Sequence, residues 1–146
     1  MNDIMDGGCK KFIFAGWATD PLYYKHIDDL VQTAVERNAI IGFNTRVINI
    51  SERLVELVSR PGLAKNSYMS ISVNAGTNEN YNKVNGARND KTKLYDRVVE
   101  NVRRIVTQKR KNNASLDISV SYLINQYTSS KEEVMKFISD FKNAGA

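Results

Sequence analysis

The sequence predicts an α/β protein made of four parallel strand–helix units, and three observations carry that expectation. Short apolar runs begin near Phe12, Ile40, Tyr68 and Leu116, the first three spaced 28 residues apart. That spacing is about the length of one strand, one helix and two short connections. Between the runs, apolar residues recur at helical spacing instead. Each run also ends in small or polar residues, as expected where strands of a parallel sheet open onto a shared site. Strands alternating with helices imply right-handed crossovers and a parallel sheet.

Taken in order, residues 1–10 are polar and glycine-bearing and read as a loose leader ahead of a domain spanning 11–146. Strands are expected at 12–15, 40–43, 68–73 and 117–124. The first two are almost wholly apolar, which predicts cover on both faces, whereas the last two alternate as the inside and outside of a barrel would. Helical stripes run through Ile27, Leu30, Val31, Ala34 and Val35, and then through Leu54, Leu57 and Val58 behind a Ser51 start. Leu94, Val98, Val102, Ile105 and Val106 form the longest stripe, and Val134, Phe137, Ile138 and Phe141 the last. Pro21 is placed as a helix-opening proline, Ser130 with Glu133 as a capping box, and Gly145 as a helix stop. Residues 77–93 are long and polar for a connection, and a short helix over 78–84 with a solvated tip is the expected form. Lys83, Arg88, Lys91 and Lys93 in that stretch are candidates to meet phosphate or a peptide acid.

Four units are half of the eight that close a TIM-like barrel. The expected architecture is therefore a partial, half TIM-like barrel whose sheet edges stay open unless something covers them. A second copy of the chain, or a missing barrel half, would serve, so the chain reads as a self-pairing half-barrel or a piece of a larger protein.

Composition narrows the partners. The chain has 146 residues, 42% of them hydrophobic, enough for one core. No apolar run has the length of a membrane span, and no signal peptide opens the chain. The one cysteine, Cys9, cannot form an internal disulfide or a thiolate-built metal site alone, and it points to a reducing cytoplasm. Net charge is +5 with a pI near 9.3, which favours anionic partners. The excess gathers at Arg103, Arg104, Lys109, Arg110 and Lys111, where cations suit the end of a helix. A solvated helix end explains it, and no nucleic-acid recognition motif accompanies it.

The candidate site residues stand at the strand ends: Gly16, Thr19 and Asp20 after the first, Asn44-Thr45-Arg46 after the second, Ser72-Val73-Asn74 at the third, Asn125 after the fourth. These are hydrogen-bonding groups suited to a polar ligand such as an amino acid or a nucleoside. Each also has a plainer reading: Asp20 as a helix cap before Pro21, Asn44 and Asn74 as turn residues, Trp17 as packing or a rim lid. No histidine or cysteine stands at a strand end, and His26 reads as a surface residue.

The order AGWATDPL, HIDDLV, GFNT, SISVNAG, YNKVNG, YDRVVENV and SYLIN resembles the central portion of a radical S-adenosylmethionine enzyme core, its second to fifth strand–helix units. The resemblance covers roughly residues 11–146. It implies a partial (β/α) barrel that binds S-adenosylmethionine beside a four-iron, four-sulfur cluster, cleaves the cofactor reductively and abstracts a hydrogen from substrate. The family's glycine-glycine-glutamate-proline turn, which holds the methionine amino group partly through backbone carbonyls, is matched by Ala18-Thr19-Asp20-Pro21. Its NTNG is matched by Asn44-Thr45-Arg46-Val47 and its serine-leucine-aspartate by Ser72-Val73-Asn74. The resemblance thus implies cofactor contacts at Ala18, Thr19, Asp20, Asn44, Ser72, Asn74 and Asn125. The family's CxxxCxxC loop is missing, and Cys9 is not one of its ligands. An iron–sulfur cluster would need cysteines from another segment, and the chain as given is expected to be catalytically incomplete. The alternative expectation is a non-catalytic half-barrel that binds a nucleotide-like ligand or a protein partner.

Overall fold

The computed structural model describes residues 1–86 and 91–146. A one-turn helix α1 (Asn2–Asp6) leads into β1 (Lys11–Phe14), a 3-10 turn (Pro21–Tyr23) and α2 (Ile27–Glu36). Then come β2 (Ile40–Thr45), α3 (Glu52–Val58), β3 (Tyr68–Ser72), α4 (Asn78–Val84), α5 (Leu94–Lys111), β4 (Asp117–Ser121) and α6 (Lys131–Ala144). The stretch read as a loose leader thus contains a helical turn, and its Met5 is buried in the core. The expected α4 is present, whereas Arg88 lies outside the described residues.

The four strands form one all-parallel sheet in the order β1-β2-β3-β4. Because the order never reverses, crossovers of one hand keep the helices on one face. That face carries Phe12, Phe14, Ile41, Phe43, Met69, Ile71, Ile118 and Val120, which join the core with Val31, Ala34, Leu54, Val58, Val98, Val102 and Ile105. Phe14 stacks on Phe43 with ring centroids 4.9 Å apart. At the other end of the core, Tyr95, Phe137 and Phe141 pack edge on and tilted, and the Tyr95 hydroxyl donates to Asp140 at 2.8 Å.

The opposite face is left bare, with Ile13, Asn44, Ser72, Ser119 and Ser121 all exposed. This corrects the expectation that β1 and β2 are covered on both sides. Their apolar residues are continuous in sequence, but β1 is an edge strand, and its Ile13 is 52% exposed. Among the described residues, both β1 and β4 pair on one side only.

The caps show how local sequence sets the boundaries. Ser51 accepts from the Leu54 amide at 2.9 Å, Thr77 from Asn80 at 3.3 Å and Ser130 from Glu133 at 3.2 Å, each satisfying an otherwise orphan amide. Gly145 ends α6 at φ 88°, a left-handed stop that suits glycine. Pro21 opens the 3-10 turn rather than a long helix, and α2 begins only at Ile27. The basic end of α5 behaves as a solvated surface. Arg103 pairs with Glu100 and Arg104 with Glu52, while Arg110 donates to the Gly145 carbonyl at 3.1 Å.

Candidate functional site

The carboxyl ends of the strands are tied to one another by side chains that the sequence marks as ligand candidates. Asp20 is buried, and its carboxylate accepts from three donors through four contacts. The Leu22 amide lies 3.0 Å from Oδ1, which is the cap of the 3-10 turn. The Thr45 hydroxyl bridges both oxygens at 2.8 and 3.0 Å, and the Arg46 amide lies 2.6 Å from Oδ2. Asp20 thus caps its own turn and clips the first strand end to the second. Its carboxylate is spent inside the protein, which leaves the turn's backbone and its exposed Trp17 and Thr19 side chains to meet a ligand.

That backbone is available. The turn after β1 is held tight at Gly16, where a Cβ would fall 1.5 Å from the Thr19 carbonyl oxygen, so only glycine fits. Among the described residues, no backbone hydrogen bond engages the carbonyls of Gly16, Trp17, Ala18 or Thr19. Ala18 and Thr19 are exposed at its tip.

After β2 the chain turns sharply. Val47 is fully buried at φ 56°, a left-handed conformation costly for a β-branched residue, about 1–2 kcal/mol. Its position is held by Asn101 of α5, whose amide donates to the carbonyls of Val47 and Ile48 at 2.7 and 3.2 Å. Thr45 also accepts from the Val47 amide at 2.9 Å. Arg46 reaches sideways to Asn85 at 3.1 Å. Beneath this corner the Tyr81 hydroxyl is buried without a hydrogen-bond partner among the described residues. Burial pushes its pKa up to about 12, the Arg46 guanidinium opposing the rise and the Asp20 and Tyr23 charges adding to it.

The third and fourth strand ends are joined similarly. Asn74 is left-handed at φ 60°, and its side-chain oxygen accepts from the Leu123 amide at 3.0 Å. Asn125 closes its own turn, accepting from the Tyr127 amide at 2.9 Å. Glu133, at the start of α6, accepts from the Gly76 and Thr77 amides at 2.7 and 3.0 Å and from the Thr77 hydroxyl at 3.2 Å. The expected capping box is therefore half made: Ser130 caps Glu133, but the glutamate side chain serves another loop.

Of the candidates, Asn44 and Ser72 are brought onto the bare face, exposed and free of side-chain partners among the described residues. Register places Asn44 beside Ser70 and Ser70 beside Ser119, with Ser72 beside Ser121 in the next row. This hydroxyl-rich patch extends well beyond the candidates. Ser70, Ser119 and Ser121 are signalled only by their alternation with Ile71 and Val120. Below it, the Tyr68 ring lies against Gly42, where a Cβ would fall 2.5 Å from the ring.

Outside the patch, a cleft of about 510 Å³ runs beside the unpaired edge of β1. It is lined by Ile13, Phe14, Tyr23, Tyr24, Ile27 and Leu30, with Thr19 and Asp20 at its rim end. Of the basic candidates in 77–93, Lys83 pairs with Glu79 at 2.6 Å. Among the described residues no three His, Cys, Asp or Glu side chains converge as ion ligands. Cys9 donates to the Lys11 carbonyl at 3.4 Å, and a single thiol does not fit an iron–sulfur cluster, which needs three or four. No helix among the described residues is long and apolar enough to cross a membrane.

Searches against known protein families and against curated proteins find no match for this chain.

Proposed function

We propose that the chain is a partial (β/α) barrel contributing the S-adenosylmethionine pocket of a radical S-adenosylmethionine enzyme core. One observation carries this reading: among the described residues no backbone hydrogen bond engages the carbonyls of the turn 16–19, and Asn44 and Ser72 stand exposed on the bare face near the carboxyl ends of β2 and β3. Free carbonyls are acceptors for an ammonium group, and hydroxyls and amides suit a ribose or a carboxylate. The residues present therefore fit the methionine and ribose portions of that cofactor. The left-handed backbone at Val47 supports the match of motifs, because glycine stands there in the NTNG that Asn44-Thr45-Arg46-Val47 resembles. When bound beside a cluster, the cofactor would supply a radical. In this chain Ala18 and Thr19 offer backbone, Asn44 and Ser72 offer side chains, and Asp20, Asn74 and Asn125 hold the loops that present them.

The chain's one cysteine leaves the cluster ligands to a segment or partner carrying three cysteines. The apolar cleft beside β1 suits a neighbouring parallel strand–helix unit, which would cover both the strand edge and Ile13. Titration calorimetry with S-adenosylhomocysteine, an analogue of the cofactor that lacks the cleavable sulfonium, tests the reading directly. Saturable binding that weakens in Ser72→Ala supports it, and no heat at millimolar ligand overturns it. A CxxxCxxC motif in flanking coding sequence or in a co-purifying chain would extend it to a complete enzyme.

A second reading is a non-catalytic half-barrel closed by a second copy. It is favoured by the placement of the large exposed apolar side chains. Ile13, Trp17, Tyr23 and Tyr24 flank the β1 edge, and Leu123, Ile124, Tyr127, Met135 and Ile138 flank the β4 side. Light scattering after gel filtration separates the two, since closure requires a dimer.

A further inference from the structure

Glu133 is a buried acid that its own helix does not need. Ser130 already caps α6 through the Glu133 amide at 3.2 Å, and an ordinary capping box would turn the glutamate back toward Ser130. Instead, one carboxylate oxygen takes all three donors of the turn that follows β3, the Gly76 amide, the Thr77 amide and the Thr77 hydroxyl. The backbone closes on the same point. A Cβ at Gly76 would lie 2.1 Å from the Glu133 carbonyl oxygen, so the helix start and the turn touch without a side chain between them. Two residues earlier is Asn74, left-handed and bonded across to Leu123. The segment from Ser72 to Asn74 is therefore fixed by the β3 ladder on one side and by Glu133 on the other.

We propose that Glu133 is a positioning residue for the ligand pocket: it clamps the turn after β3 and so fixes where Ser72 and Asn74 stand on the rim. The inference rests on the cofactor reading for the identity of the ligand, but the clamp itself does not. Charge-assisted bonds from backbone amides are the strong kind, and here they join elements from two different strand–helix units. A pocket assembled from separate strand ends needs such ties, because small displacements of a contacting group cost binding.

The test uses Glu133→Ala, Glu133→Gln and, as a control for general stability, Val58→Ala in the buried face of α3. Two readouts are taken: amide hydrogen exchange at Gly76 and Thr77, and affinity for S-adenosylhomocysteine. Glutamine keeps an acceptor at the same position and alanine does not. Glu133→Ala is expected to speed exchange at both amides and weaken binding about tenfold, with Glu133→Gln within about threefold of the unmodified chain. Val58→Ala should bind as the unmodified chain does. Unchanged exchange and affinity in Glu133→Ala, or an equal loss in Val58→Ala, overturns the proposal. If the unmodified chain binds nothing, the cofactor reading falls, and exchange at Gly76 and Thr77 alone decides whether the clamp exists.

Discussion

Asp20 and Thr45 join the first two strand ends through a single hydroxyl shared between both carboxylate oxygens, at 2.8 and 3.0 Å. The carboxylate belongs to the loop after β1 and the hydroxyl to the last residue of β2, so the contact spans two strand–helix units. Removing it in Asp20→Ala leaves the Thr45 hydroxyl and the Arg46 amide without their acceptor. Each buried unsatisfied group costs about 1–3 kcal/mol, so a total loss of roughly 2–6 kcal/mol is expected in urea unfolding. Asp20→Asn keeps one acceptor oxygen and should lose less. Equal stability in Asp20→Ala would show that the contact does not hold the rim.

Asn44 and Ser72 predict the opposite balance. Both are exposed and make no side-chain hydrogen bonds among the described residues, so Asn44→Ala and Ser72→Ala should change stability by less than about 0.5 kcal/mol. Each should weaken S-adenosylhomocysteine binding by roughly three- to tenfold, the worth of one hydrogen bond. Calorimetry with paired denaturation curves measures both quantities.

Gly16 should tolerate no side chain. A Cβ 1.5 Å from the Thr19 oxygen forces the turn open, and Gly16→Ala is expected to cost about 1–3 kcal/mol while also abolishing ligand binding. Loss of stability with binding intact would place the ligand away from this turn.

Tyr81 sets an alkaline limit. Its folded pKa of about 12 lies above the ordinary value of 10, mainly because burial disfavours the phenolate. Between those values the unfolded chain has released the proton and the folded chain has kept it. The contribution is therefore full below pH 10 and is lost as pH rises through 12. Burial, followed by the bond to Asp140, raises Tyr95 as well, so both tyrosines act in the same direction. Tyr81→Phe removes a hydroxyl that has no hydrogen-bond partner among the described residues. It should leave neutral-pH stability unchanged or raise it by up to about 1 kcal/mol, and it should flatten the alkaline decline. Unfolding curves from neutral pH to pH 11 test this, and an unchanged alkaline slope would exclude Tyr81 as its source.

Trp17 offers an optical check as the only tryptophan, fully exposed on the rim turn. Its emission should be water-like and readily quenched by iodide, and ligand seated on the turn should shield it. Quenching unchanged at saturating ligand would move the site off β1.

What the sequence revealed was whatever local pattern dictates. Phe12, Ile40 and Tyr68 mark strands because alternating and continuous apolar runs are local signals. Ser51, Ser130 and Gly145 mark helix ends because capping needs only neighbours. Glu133 shows the limit, since its spacing from Ser130 spells a capping box but its carboxylate bonds Gly76 and Thr77, far away in the chain. Asp20 was legible as a cap, yet three of its four contacts, two from the Thr45 hydroxyl and one from the Arg46 amide, depend on the β1–β2 pairing. The apolar continuity of β1 predicted cover on both faces, but cover depends on which face the helices take. Ser70, Ser119 and Ser121 carry no signal in the sequence beyond alternation, because an alternating serine is ordinary until register lines it up with its neighbours.

The contact between Tyr68 and Gly42 has a consequence for anything resting on the bare face. Glycine leaves β2 without a side chain at that level, and the tyrosine ring fills the gap. The ring lies one step from the row of Asn44, Ser70 and Ser119 toward the amino ends of the strands, so an aromatic surface borders the hydroxyl patch on that side. A molecule resting on the patch would meet an aromatic surface at that border and hydroxyls beyond it. Gly42→Ala would displace the ring, because the added Cβ would fall within 2.8 Å of its hydroxyl oxygen, and would move that aromatic border while leaving Asn44, Ser70 and Ser119 in place.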